Sequence, residues 1–388
     1  MNQTEAIRPS ARTRRLGFSE IVTIRNQVLA MVGAGRSVIR LEGGEPFAPT
    51  PDFVKEAIKR ALDQNQTRYA PSSGIPPLLE AVRTKLAERN RIEAPASRII
   101  VVNGGAHGLF CSFQATLDEG DEAIFLSPHW TPIRDLVSYA GGTAVPVPWR
   151  ELDGAAAAEV IGRRITPRTR LIYVNTPSNP TGKVLSRSEL EGIARLAVDR
   201  DLLVISDEAY EDLVWEEPHV SIGSLAGMER RTITVFTLSK SFSLTGGRIG
   251  YVVADEAIMD AIRRLVLSST NGVSTPTQFG ALAAISDRSD HLARMREAFR
   301  PRRELLLDAV RAAGLRCEAP RGAFYLFPEV RERLGKDSWA AMTGLLERTG
   351  IATVPGAVFG SEGEGHLRMS FSMPMEVLEQ AAAALRRL

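Results

Sequence analysis

The chain is short of cysteine. Its 388 residues hold two, Cys111 and Cys317, far apart and without metal-type spacing. That argues against a disulfide framework or a metal site, and for a reducing, cytoplasmic location. Long hydrophobic runs are missing too: no apolar stretch reaches the length of a membrane span. Residues Met1 to Arg15 are polar and basic, lack the apolar core of a secretion signal, and are expected to form a frayed or docking tail. Charge of one sign is also lacking. The formal charge is +2, so no overall field points to nucleic acid or to an anionic membrane. The scarcest charged residue is lysine. Six occur (Lys55, Lys59, Lys85, Lys183, Lys240, Lys336) and the other basic residues are arginines, so a lysine in an apolar setting stands out. Neither a Gly-x-Gly-x-x-Gly nor a Gly-x-x-x-x-Gly-Lys-Ser/Thr loop carries the strand-to-helix turns, which weakens dinucleotide and P-loop readings.

What is there is the content of an ordinary globular protein, 44% hydrophobic and 24% charged, long enough for two to three domains. Residues 18 to 35 fit a helix with Ile21, Ile24, Val28 and Met31 near one face. Helices are also expected over 52–62 and 77–90. From residue 98 short all-apolar runs alternate with helical segments: 98–103, 123–126, 170–175, 202–206, 232–238 and 249–254. That rhythm predicts a mainly parallel sheet covered on both faces, with ligands gathering beyond the carboxyl ends of its strands. After Thr275 the pattern turns helical. His291 to Ala313 is long and amphipathic, with Pro301 expected to kink or end it. Short strands over 322–327, 351–354 and 366–371 suggest a smaller α+β domain. The Ala/Glu-rich patch at 151–159 reads as a surface turn and helix.

Several strand ends carry polar residues. Lys240 follows the run Ile233 to Leu238, where burial disfavours an ammonium and lowers its pKa toward that of a nucleophile. Asp207 directly follows another apolar strand and needs a cationic or hydrogen-bonding partner, unless it only caps the next helix. Tyr210 lies three residues on. Asn103-Gly104-Gly105 opens a helix whose free amides suit a phosphate, or is simply a tight turn. Trp130 is either packing or a stacking platform. Asn179 sits in a proline-fixed loop. Each has an ordinary structural explanation. Together they describe one ligand with a phosphate (Gly105, Thr237, Arg248), a flat ring (Trp130), a ring nitrogen seeking a negative partner (Asp207), a ring oxygen seeking donors (Asn179, Tyr210) and an aldehyde seeking an amine (Lys240). That ligand is pyridoxal 5'-phosphate.

The chain resembles a fold-type I pyridoxal-phosphate enzyme, a class I aminotransferase of the aspartate aminotransferase superfamily, from about residue 16 to the end. The resemblance rests on Asn179-Pro-Thr-Gly182, Ser206-Asp207-Glu208-Ala209-Tyr210, Ser239-Lys240 and Arg248-Ile-Gly-Tyr251, in the family's order and spacing. It implies an α/β fold: a large domain whose mainly parallel seven-stranded sheet is sandwiched by helices, plus a smaller α+β domain formed by both chain ends. The expected division is 1–40 (arm and part of the small domain), 41–285 (large cofactor-binding domain) and 286–388 (small domain).

The resemblance also implies transfer of an amino group from an L-amino acid to a 2-oxo acid through a Schiff base on Lys240. Lys240, Asp207 and Tyr210 would be catalytic. The cofactor would be held by Gly105, Ala106, His107, Trp130, Asn179, Asp207, Tyr210, Thr237, Lys240 and Arg248, with Tyr69 reaching a neighbouring subunit's phosphate. Gly44, Trp130, Asn179 and Arg368 would meet the substrate. A homodimer with shared sites, no metal, and cis bonds at Ser127–Pro128 and Asn179–Pro180 are implied as well. Elimination, cyclisation or oxidation with the same cofactor is the alternative reading, since Lys240 and Asp207 serve those reactions equally.

Two positions depart from relatives. Gly247 stands where many have Trp and is expected to reshape the site's wall. Ala106 stands in a segment where aspartate- and prephenate-using relatives often carry a lysine, and it cannot grip a distal carboxylate. Phe18, Ile21, Tyr69, His107 and Ser269-Thr270-Asn271 are further pocket candidates.

Overall fold

A computed structural model of the chain describes residues 8–14, 16–152 and 156–388. Most of the expected N-terminal tail, and residues 153–155 of the Ala/Glu-rich patch, therefore lie outside the described residues. After the short helix Ala11–Arg14 come helix Glu20–Gly33, which buries Ile24 and Val28, and the short strand Ile39–Arg40 (β1).

The central sheet has seven strands: Ile99–Val102 (β2), Glu122–Ser127 (β3), Thr143–Pro148 (β4), Thr169–Asn175 (β5), Leu203–Asp207 (β6), Thr232–Thr237 (β7) and Gly250–Val253 (β8). Their order is β2-β8-β7-β6-β5-β3-β4. Only β8 runs against the others, antiparallel to both β2 and β7. The reversal has a consequence for position. Val102 and Thr237, at the carboxyl ends of β2 and β7, both pair with Gly250, the first residue of β8. Arg248, two residues earlier, thus arrives at the same sheet edge as the other strands' carboxyl ends.

Alternate residues along each strand enter different cores, as a period of two requires. Ile100 and Val102 join Phe113, Ile205 and Val235 on one face. Ile99 and Val101 join Val54, Leu78 and Ala281 on the other, and Ile172, Val174 and Val204 continue that role toward β4 against Leu190 and Ile193. Helices therefore cover both faces, as expected. β4 has no counterpart among the strands expected from the sequence. Its run Thr-Ala-Val-Pro-Val-Pro contains two prolines, which cannot donate to a ladder, and it lies at the sheet's edge where that is tolerated.

The second body holds the antiparallel strands Tyr325–Leu326 (β9), Val354–Pro355 (β11) and Leu367–Ser370 (β12), with helices His291–Ala312, Ser338–Thr349 and Met375–Leu385. Strand Ile351–Ala352 (β10) pairs with β1, and Ile24 and Val28 pack on Val354 and Phe359. Both chain ends thus build it. Helix His291–Ala312 continues through Pro301, so the proline is not the helix boundary. Met295 and Phe299 before the proline, and Leu306, Leu307 and Val310 after it, are buried in one core, and this shared packing outweighs the local penalty. Among the described residues no helix is long and apolar enough to cross a membrane.

Candidate active site

The carboxyl edge of the sheet opens into a cavity of about 280 Å³ between the two bodies. Its walls include Gly44, Gly105, Ala106, Trp130, Asn179, Asp207, Tyr210, Thr237, Lys240, Arg248 and Arg368, so most of the residues singled out from the sequence meet in one place. A roomier cleft of about 660 Å³ is walled by Trp149, Lys183, Phe327 and Glu329. Its cations already face carboxylates, Lys183 and Glu318 at 3.3 Å for example, so chemistry rather than size selects the smaller cavity.

Thr237 ends β7 and caps the one-turn helix Leu238–Ser241, its hydroxyl accepting the Ser239 amide at 3.2 Å. That turn aims Lys240 inward, where Nζ donates to the Gly44 carbonyl at 2.8 Å. Burial holds the amine down at about 8, helped by the cations Arg368 and Arg248 and opposed by Glu45. Asp207 ends β6. Its Oδ2 accepts the Tyr173 hydroxyl at 2.8 Å, and its Oδ1 accepts the Ala209 amide at 3.2 Å. Burial pushes this carboxyl up to about 6 while those two bonds pull it down. The Ala209 bond is part of a turn rather than a helix cap, since no helix begins there.

On the opposite wall Arg368, on β12, is 2% exposed. Its guanidinium donates to Asn179 Oδ1 at 3.1 Å and to the Glu42 carbonyl at 2.8 Å, and packs 4.4 Å from the Tyr325 ring centroid. Its Nε has no partner, and no carboxylate pairs with it among the described residues. The Asn179 amide is anchored on Asn175 Oδ1 at 3.0 Å, in a segment with cis bonds at Thr176–Pro177 and Asn179–Pro180; Ser127–Pro128 is cis as well. The Tyr210 and Tyr325 hydroxyls meet at 2.9 Å.

At the far corner helix Gly105–Thr116 begins. The amides of Gly105 and Ala106 have no partner among the described residues, whereas the His107 amide donates to the Gly104 carbonyl. Gly104 has φ 78°, and a side chain there would meet the Arg248 guanidinium at 2.7 Å. The corner thus presents amides, the Thr237 and Ser239 hydroxyls, and one guanidinium.

Three expectations change. The His107 imidazole turns away from the cavity, with Nε2 3.0 Å from Ser269 Oγ and 3.5 Å from Cys111 Sγ. Four positions into helix geometry, Cys111 is its natural neighbour. Gly247 is not on the cavity wall; a side chain there would meet Leu244 at 2.6 Å, so that leucine occupies the space a larger residue would need. Phe18, a pocket candidate, is 99% exposed and lies outside the cavity, while Tyr69, expected at a neighbouring subunit's phosphate, is 91% exposed on its own chain. Tyr325 and Tyr173 were missed. Tyr173 had a signal: a tyrosine inside an otherwise aliphatic run, on the strand next to the one that ends in Asp207.

A buried lysine, Lys240, and a buried guanidinium with no acidic partner among the described residues, Arg368, share one cavity at the carboxyl edge of the sheet, the setting of an α/β enzyme. The chain belongs to the aminotransferase class I and II family, whose model matches residues 36–385. It is 38% identical to the aspartate/prephenate aminotransferase of Thermus thermophilus over 383 residues, 98% of each chain. It is 35% identical to the aspartate aminotransferase of Bacillus subtilis, over 97% of each. The solved aspartate aminotransferase from Thermus thermophilus with maleate superposes with a TM-score of 0.94, covering 98% of this chain and all of that one. The protein is an aminotransferase.

Proposed function

We propose that the cavity holds pyridoxal 5'-phosphate and that the chain uses it to move an amino group from an L-amino acid without a side-chain carboxylate to a 2-oxo acid. The observation that carries this is Arg368: a buried guanidinium with no acidic partner among the described residues, sharing one cavity with Lys240 and Asp207. The cofactor fits the residues present. The open amides of Gly105 and Ala106, the Thr237 and Ser239 hydroxyls and Arg248 suit its phosphate, and bare Gly104 keeps a side chain out of Arg248's place. Trp130 would cover the ring, Asp207 its nitrogen, and Asn179 and Tyr210 its oxygen. Bound there, the cofactor supplies an aldehyde that condenses with amines and a ring that accepts the electron pair left when Cα loses its proton.

The chain's own residues do the rest. Lys240, neutral in a substantial fraction near pH 8, would be the amine that holds the cofactor's aldehyde and, once free, the base that carries the Cα proton. Asp207 would hold a negative charge against the ring nitrogen. Arg368 grips the substrate α-carboxylate with two parallel N–H donors, a geometry lysine cannot reproduce. Gly44 brings its carbonyl close to Lys240, and a side chain there would press on the Tyr325 hydroxyl at 3.1 Å.

Ala106 shapes the donor choice. Among the described residues the cavity's cations are Lys240, Arg248 and Arg368, each with a task, and Ala106 adds none for a distal carboxylate. Neutral donors should therefore outperform aspartate. A screen of amino-acid donors against pyruvate and 2-oxoglutarate tests this; aspartate as the best donor would refute the neutral-donor reading. Ala106→Lys should raise kcat/KM for aspartate about tenfold, the scale of one charged hydrogen bond.

We further propose a homodimer in which Tyr69 reaches the partner's phosphate corner, in line with its 91% exposure on the isolated chain. The division into residues 1–40, 41–285 and 286–388 is supported by the cores: helix Thr275–Ile285 packs with the sheet, and helix His291–Ala312 with the second body. A cytoplasmic location accords with the two free thiols.

A further inference from the structure

Tyr173 holds Asp207 from behind the cavity. In the parallel pairing of β5 with β6, Tyr173 lies opposite Ile205, and Asn175 opposite Asp207. Tyr173 and Asp207 therefore share a sheet face on a diagonal that an aromatic side chain can span. The hydroxyl donates to Asp207 Oδ2 at 2.8 Å. Tyr173 is 2% exposed, and its ring lies 5.9 Å from that of Phe113 in the core beneath the cavity. It does not line the cavity itself. Burial, with Asp207 beside it, pushes the phenol well above its ordinary value, so it stays protonated and is a fixed donor. Phe113 and Phe125 fill the same core without a hydroxyl, and phenylalanine here would avoid burying a polar group. A carboxylate offers about four acceptor sites. Tyr173 and the Ala209 amide take two, one on each oxygen, and Asp207 still lines the cavity.

We propose that Tyr173 is a positioning residue whose hydroxyl, reaching across from the neighbouring strand, fixes the orientation and negative charge of Asp207 for a protonated ring nitrogen of the cofactor. The inference rests on the cofactor reading of the cavity. The other charges facing Asp207 are Glu208 beside it in the chain, which favours its neutral form, and Lys240 across the cavity, which favours its charged form.

The test is Tyr173→Phe, loaded with pyridoxal 5'-phosphate and read without substrate. A weaker hold on Asp207 leaves the ring nitrogen less protonated. The pH midpoint of the visible absorption, which follows the proton on the nitrogen joining Lys240 to the cofactor, should then rise by about one unit, because a ring with less positive charge withdraws less from that nitrogen. Cofactor affinity should fall about tenfold, the scale of a hydrogen bond to a charged group. In turnover kcat should fall while KM changes little, because Arg368 is untouched. Tyr173→His, whose ring nitrogens stop short of the tyrosine hydroxyl's reach, should leave the midpoint shifted. Equal midpoints in wild type and both variants overturn the assignment, as does a midpoint shift in Tyr173→Phe that Phe113→Leu reproduces by packing alone. A wild type that takes up no cofactor overturns the cofactor reading and this one together; a wild type that loads normally while Tyr173→Phe matches it overturns Tyr173 alone.

Discussion

Lys240 is a lysine the fold tolerates at a cost. Its folded pKa is about 8 against an ordinary 10.5, because burial disfavours the ammonium. Between those values the unfolded chain binds more protons, so stability rises with pH through that window and the full penalty applies below pH 8. The penalty is on the order of 3 kcal/mol from the shift. Lys240→Met without cofactor should therefore be more stable than wild type at pH 7, with the gap closing by pH 10; denaturant unfolding at both values checks this, and a gap independent of pH would contradict it. The same variant should have no measurable transamination. For Arg368, the planar fork is the working feature. Arg368→Lys should lower kcat/KM about a hundredfold, mainly through KM, as the scale of lost charged hydrogen bonds suggests; steady-state kinetics with the best donor decide. Lys240, Asp207, Asn179 and Arg368 were legible in the sequence because chemistry at strand ends is scarce and their spacing matches a known family. His107 and Gly247 were misplaced because one residue's rotation on a helix, or one leucine folding over a glycine, is invisible without coordinates. Tyr173 needed the register of two strands, which a linear sequence does not state.

At the scale of elements, alternation of strands and helices was readable, since burial on both faces leaves near-continuous apolar runs. Order was not. The antiparallel entry of β8 brings Arg248 to the edge where the parallel strands end, and nothing in its run Gly-Tyr-Val-Val declares direction. β4 escaped because its prolines deny the usual signal. Pro301 shows local and tertiary preference in conflict. It sits exposed within helix His291–Ala312, lacking an N–H where a helical bond would form. Pro301→Ala should stabilise the protein by about 1–2 kcal/mol, the helix gain being partly offset by a more flexible unfolded chain. Thermal unfolding reads this directly; a lower Tm would mean that the proline's geometry is needed for the helix to follow its core.

For the whole molecule, the cavity lies between the sheet's edge and a body that both chain ends build, so its two halves are fixed only when the fold is complete. Lys240 and Asp207 stand on the sheet, Arg368 on β12 of the second body, and Asn179 links them by accepting from Arg368. The chain alone still leaves large aromatic surface uncovered at Phe18 and Tyr69, 99% and 91% exposed. A symmetric dimer would cover such residues and give the phosphate corner its remaining donor. If so, cofactor affinity and assembly are linked, because a ligand that binds only the assembled form stabilises it by mass action. Diluting the protein through its dimer dissociation range should weaken cofactor binding as monomers appear, while added cofactor should shift sedimentation toward the dimer. Tyr69→Phe should weaken cofactor binding about fivefold, the loss expected of one hydrogen bond, without changing the sedimentation profile at high concentration. Cofactor affinity that stays constant across the dissociation range would show that each chain completes its own phosphate corner, and Tyr69 would then be surface rather than site.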